Sequence, residues 1–211
     1  MKRFRFTLLA VCLVLLFLGG NDLLISWQNP SPVHVTIAEL ETAPPPREWV
    51  YITDGHQDLD RAISTSGTIE LDALLVPLLK NPEQQRIHVL VETHRTELLD
   101  IFREYHFFAD TLPAKKALRE KHQNDFKGSR NVTGMLASGL VAKGNREKLL
   151  KLAQQTGMDL DNNIILVSEN KTPNTWRGMF FFFIGILGLS KFFLKASHDN
   201  TVEKISRRSA S

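Results

Sequence analysis

The sequence predicts an α+β domain, a small curved or partly open barrel-like mixed sheet with two or three helices, set between two transmembrane helices. Apolar residues concentrate in two stretches near the ends of the 211-residue chain, Phe4–Trp27 and Trp176–Lys195. Between them lie short segments of alternating apolar and polar residues, the mark of half-buried strands. Helical periodicity interrupts these strands, but without the regular strand–helix alternation that a doubly wound sheet requires.

The basic start, residues 1–5 with Lys2, Arg3 and Arg5, is expected in the cytoplasm. Residues 6–27 follow as a transmembrane signal-anchor. Its densest part, Phe6–Leu18, is as short as a signal-peptide core, and a cleaved signal is the alternative reading. Against cleavage, Leu18 stands where a small residue is needed before a cut after Gly20, and the apolar pattern resumes at Leu23, Leu24, Ile25 and Trp27. The full stretch of about 20 residues is long enough to span the hydrocarbon. Asn21 and Asp22 are expected near the outer interface, with Trp27 as an anchor there.

Residues 28–46 read as a Pro-rich tether with a first strand. The alternation of "VHVTIAEL" supplies the strand, and Pro44, Pro45 and Pro46 make a stiff step after it. Residues 47–175 form the predicted α+β domain. "EWVYITDG" predicts a strand ending at an Asp54-Gly55 turn. "DLDRAIST" and "TIELDALLVPLL" predict two more, the second ending or lying at an edge because of Pro77.

"RIHVLVET", Arg86–Thr93, is the clearest strand. From Thr96 the spacing of Leu98, Leu99, Phe102 and Tyr105 or His106 predicts a helix, with Phe107 and Phe108 expected in the core. Pro113 suits the first turn of a charged surface helix. "SRNVTGMLASGLVAKG" predicts a strand or hairpin. "NREKLLKLAQQTG" predicts a helix capped by Asn145 and ended by Gly157, and "NNIILVSEN" a last strand.

Residues 176–194 make the second predicted span, apolar from Gly178 except for Ser190 and Lys191. Gly185 and Gly188 would permit close packing against another helix. The basic tail, residues 195–211, carries Lys195, Lys204, Arg207 and Arg208 and is expected in the cytoplasm. Both termini thus face inward and the bulk of the chain faces outward, as in a bacterial inner-membrane protein.

Residues 28–175 carry 17 basic and 20 acidic side chains, a net charge of −3, and the remaining 9 basic and 3 acidic residues give +6. The basic excess belongs to the membrane flanks, which argues against nucleic-acid binding. Cys12, the only cysteine, falls in the first span, so the domain has neither disulfide nor thiolate metal site.

Asp54, His56 and Asp58 are the first candidates for metal or acid/base chemistry, joined by His88, Glu92 and His94 from the clear strand. Even spacing within each group would put its members on one strand face. A calcium loop does not fit, because Leu59 stands where such a loop needs glycine. The plainer reading is a polar turn and an exposed sheet face.

With no catalytic motif and no cofactor signature, the expected function is non-catalytic. The domain would bind a protein or envelope component at the membrane surface, with the lipid bilayer, a membrane or periplasmic protein, and further copies of itself as candidate partners. The alternative is a membrane-anchored enzyme, metal-dependent or not, built on the Asp54/His56/Asp58 region.

Overall fold

A computed structural model describes residues 2–65, 71–137 and 140–208. The chain divides into two compact units, the terminal segments 1–30 with 173–211, and the domain Ser31–Thr172.

The first unit is a pair of long helices, α1 (Lys2–Gln28) and α7 (Thr175–Arg208). Among the described residues, one helix, Phe6–Gln28, is long and apolar enough to cross a membrane. The two helices pack antiparallel through glycines. A Cβ placed on Gly19 would lie 2.5 Å from the Phe182 nitrogen, one on Gly185 2.7 Å from Leu16, and one on Gly188 2.3 Å from Cys12 Sγ. Gly185 and Gly188 therefore face a partner helix as the sequence predicts, and that partner is α1. Where α1 ends and α7 begins, the Arg177 guanidinium donates to both Asp22 carboxylate oxygens at 2.8 and 3.0 Å. The Thr175 hydroxyl sits 3.0 Å from that of Ser26.

The second unit is built on seven strands: β1 (Val33–Thr36), β2 (Trp49–Gln57), β3 (Ile63–Ser64), β4 (Leu74–Leu79), β5 (Ile87–Thr93), β6 (Ser129–Leu136) and β7 (Leu160–Glu169). They lie in the order β1-β2-β6-β7-β5-β4-β3, and an additional β2–β4 pairing closes five of them into a barrel. The fold class is α+β as predicted, and the curved or partly open sheet is a closed one. β5 and β7 run parallel, while the other barrel pairs are antiparallel.

Closure depends on Asp54 and Gly55, which do not make a turn. They lie inside β2, where its register on β6 shifts between Ile52 and Gly55, and Asp54 takes a positive φ of 57°. The bulge bends the strand. Before it, Val50–Thr53 pair with β1; after it, His56 and Gln57 pair with Leu79 and Leu78 of β4. Gly55 fits there because a Cβ would come within 2.7 Å of the Leu78 side chain.

Pro77 is likewise interior to β4, opposite Leu90, rather than at a strand end. A residue's nitrogen and carbonyl point to the same side of a strand. Pro77's proton-less nitrogen thus falls beside its carbonyl, which accepts only from the Asp58 N–H at 3.0 Å, between the β3 and β2 pairings. Of the strand predicted around it, Thr68–Glu70 lie outside the described residues.

Seven α-helices occur among the described residues; the domain contributes α2 (Ile37–Thr42), α3 (Thr96–Arg103), α4 (Leu112–Lys121), α5 (Gln123–Lys127) and α6 (Leu140–Gln155). The alternation of "VHVTIAEL" stops at Thr36, whose hydroxyl accepts from the Glu39 N–H at 3.2 Å while the Glu39 carboxylate accepts from the Thr36 N–H at 2.7 Å. This capping box turns the second half of the segment into helix. The stretch read as a tether is part of the domain's core, since Val35, Ile37 and Leu40 pack with Val50, Ile52, Val89, Val91, Val132 and Val167.

A second apolar cluster joins α3 and α5 to the barrel through Leu98, Ile101, Phe102, Phe126, Leu74 and Val76. The third brings Ala153 of α6 against Leu75, Leu90, Ile164 and Leu166. Leu90 is buried between His88 and Glu92, so this face of β5 is covered and only half polar, where an exposed polar face was expected.

Three local expectations are overturned. Phe107 and Phe108 are exposed, because α3 passes at Glu104 into a wider π-helical turn, and Ile101 takes the expected core role. Asn145 lies within α6, which starts at Leu140, so "LVAKG" is helix rather than a hairpin arm, while Ser138 and Gly139 lie outside the described residues. Gly157 does end that helix, with φ +80°.

Candidate functional site

The six predicted site residues do not converge. Asp54 is exposed at the bulge, and His56 is half-buried opposite Leu79 and Ser129. Asp58 is buried and caps the 3-10 turn Leu59–Arg61, taking the Arg61 Nε at 2.7 Å. The same guanidinium donates to the Gln84 and Gln85 carbonyls at 2.8 and 2.9 Å, so Asp58 fixes a loop.

His88 Nδ1 stands 3.7 Å from Asp161, which also pairs with Arg86 at 3.1 Å. The Asp161 carboxyl is held below its ordinary value by the Asn163 N–H and then by these two side chains. Glu92 accepts from the Ser168 hydroxyl at 2.7 Å, and His94 Nδ1 lies 2.8 Å from the Asp72 carbonyl. Among the described residues no three His, Cys, Asp or Glu side chains stand close enough to hold a metal ion.

A different set of polar residues does converge. Arg130 of β6 is buried, and its Nη1 donates to Gln57 Oε1 at 2.8 Å. Nη2 pairs with Glu169 Oε1 at the end of β7. Gln57 in turn donates to the Asp125 carbonyl on α5. The two charged side chains are only 9% and 7% exposed, and among the described residues Arg130 Nε and Glu169 Oε2 have no hydrogen-bond partner.

Glu169 also lines an open hollow of about 390 Å³ with Asn170, His94, Arg95, Thr96 and Glu97. Here the chain leaves β7 through Asn170, at φ 58°, and leaves β5 for α3. Arg95 stands at the N-cap but offers no side-chain cap; its guanidinium turns instead to Glu97, at 2.7 Å from Nη2. Its protonated form is favoured mainly by that hydrogen bond. The hollow thus gathers the Glu97 and Glu169 side chains, the Arg95 guanidinium and the His94 imidazole around one opening.

Sequence reasoning missed Arg130 and Glu169. The available signal was the alternation of "SRNVTGML": Val132 and Gly134 belong to the buried face, and Arg130 shares their parity.

The barrel closes in the order β2-β4-β5-β7-β6-β2, and strand order alone assigns no ligand. Comparison with protein-family models, curated proteins and solved structures finds no match.

Proposed function

We infer that this is a two-span protein of a bacterial inner membrane, with both termini in the cytoplasm and the domain Ser31–Thr172 outside. In this reading the domain is a non-catalytic binding module, clamped to the bilayer at both ends, that engages a membrane or periplasmic protein or another envelope component. The observation that carries the reading is the antiparallel pairing of α1 with α7, with Gly19, Gly185 and Gly188 at the contact and the Asp22–Arg177 pair at the end nearest the domain. An antiparallel pair returns the chain to the side from which it entered, and the basic flanks Lys2–Arg5 and Lys195–Arg208 then share the cytoplasmic face.

The second span, residues 176–194, belongs to this proposal. Lys191 lies near its end and reaches the interface by snorkelling. A binding role is favoured over an enzymatic one because the six acid and imidazole candidates do not come together among the described residues. The −3 charge of residues 28–175 likewise disfavours a nucleic-acid partner.

The test is mild crosslinking of intact cells followed by purification of the tagged full chain in detergent. A discrete partner, or a homo-oligomer, recovered with the full chain and lost when the hollow is filled by Asn170→Trp supports the reading. Recovery of the chain alone contradicts it.

A further inference from the structure

Among the described residues, the domain Ser31–Thr172 exposes three large apolar side chains, and all three fall between positions 107 and 112: Phe107 at 43%, Phe108 at 64% and Leu112 at 84%. The π-helical turn Glu104–Phe108 presents the first two, and Leu112 opens α4. The helix behind them is cationic. On α4, Leu112, Lys115, Lys116 and Arg119 share one stripe by their spacing. Residues 110–127 hold five basic and three acidic side chains, a net of +2 within a stretch, 28–175, whose total is −3.

The patch is braced from beneath. Tyr105 packs edge-on against the buried Phe126 at 5.1 Å, the Lys115 ammonium lies 5.3 Å from the Tyr105 ring, and Arg119 bonds both the Tyr105 hydroxyl and Asp60 at 2.7 Å.

We propose that Phe107, Phe108 and Leu112 insert into an anionic lipid surface, with the α4 lysines against its headgroups. This rests on the reading that α1 and α7 hold the chain in a bilayer. Size and charge favour lipid over protein. A stable protein interface takes about 800 Å² from each partner, whereas an aromatic side chain covers about 150–250 Å², so two phenyl rings and one leucine fall short. For a domain already tethered to the membrane, a weak contact suffices, because the tether supplies the effective concentration. Apolar tips flanked by lysines are the combination that membrane interfaces select.

The test uses the full chain in lipid nanodiscs whose acyl chains carry bromine, a short-range quencher. With Cys12→Ala removing the only native thiol, bimane is placed in turn at Phe108→Cys, at Glu83→Cys on another exposed loop, and at Phe17→Cys in α1. In phosphatidylglycerol discs the labels at 108 and 17 lose most of their emission and the label at 83 keeps it. In phosphatidylcholine discs, or at about 1 M salt where charges are screened beyond about 3 Å, the label at 108 recovers while that at 17 stays quenched.

A bright label at 108 beside a quenched label at 17 overturns the docking and leaves the membrane anchor standing. Bright labels at both overturn the anchor and the docking together. Equal quenching at 108 in both lipids overturns the anionic preference. A photo-reactive benzophenone at position 108 that captures one discrete protein in native membranes, and no lipid, also overturns the proposal.

Discussion

Arg130 and Glu169 form a buried ion pair across β6 and β7, and each retains one polar atom without a partner among the described residues, Nε of the arginine and Oε2 of the glutamate. Strand alternation puts Arg130 on the inward parity, and Glu169 closes the last barrel strand just before the chain leaves the domain. Removing one partner of such a pair strands the other charge in a dry environment, and that penalty exceeds what the pair itself contributes.

Arg130→Met is therefore expected to destabilise the domain by about 3–5 kcal/mol, because Glu169 would remain buried and unpaired. The double change Arg130→Met with Glu169→Leu should cost less than either single one. Hydrogen exchange on β6 and β7 in the full-length protein checks this, and single and double variants that lose protection equally would refute the burial argument.

Gly134 stands where the β7 backbone leaves no room for a side chain on β6. A Cβ there would meet the Ser168 carbonyl oxygen at 2.3 Å and Val167 Cγ1 at 2.9 Å. Gly134→Ala should cost about 1–3 kcal/mol by overpacking, seen as a lowered urea midpoint. Gly20→Ala, where a Cβ meets nothing within 4 Å, should leave it unchanged.

The Thr36–Glu39 capping box gives a pH-dependent contribution. Hydrogen bonds from the Thr36 backbone and then its side chain hold the Glu39 carboxyl below the ordinary glutamate value. A carboxylate depressed in the folded state stabilises it above the unfolded pKa, and that contribution fades as pH falls through the folded pKa. Thr36→Ala should cost about 1 kcal/mol near neutrality and narrow the gap to the native chain under acid. Parallel stability curves for the two proteins would contradict the cap.

The helix pair makes a geometric prediction. A Cβ on Gly188 would lie 3.7 Å from the Cys12 Cβ, inside the disulfide range of about 3.5–4.5 Å. Gly188→Cys should form an intramolecular disulfide with Cys12 under mild oxidation, detected by peptide mass mapping. Gly20→Cys, facing open space, should not.

How much of this was legible in the sequence follows from how local each cause is. β5 and α4 were readable because their signals, dense β-branched residues in "RIHVLVET" and Pro113 at a helix start, lie within the segments. Asp54-Gly55 was read as a turn and Pro77 as an edge or strand end, whereas both lie inside strands. Their local chemistry permits a bulge or an interior strand equally well, and only the distant pairing of β2 with β4 decides. The Thr36-x-x-Glu39 box was visible but masked by the alternation around it. The site residues Arg130 and Glu169 are 39 positions apart and meet only when β6 pairs with β7.

The most direct test of the central claim is sidedness. Topology reporters placed at Ser211 and within Pro44–Pro46 should report opposite compartments, cytoplasmic for the first and extracytoplasmic for the second. The same compartment for both would contradict a domain held outside the membrane between two spans.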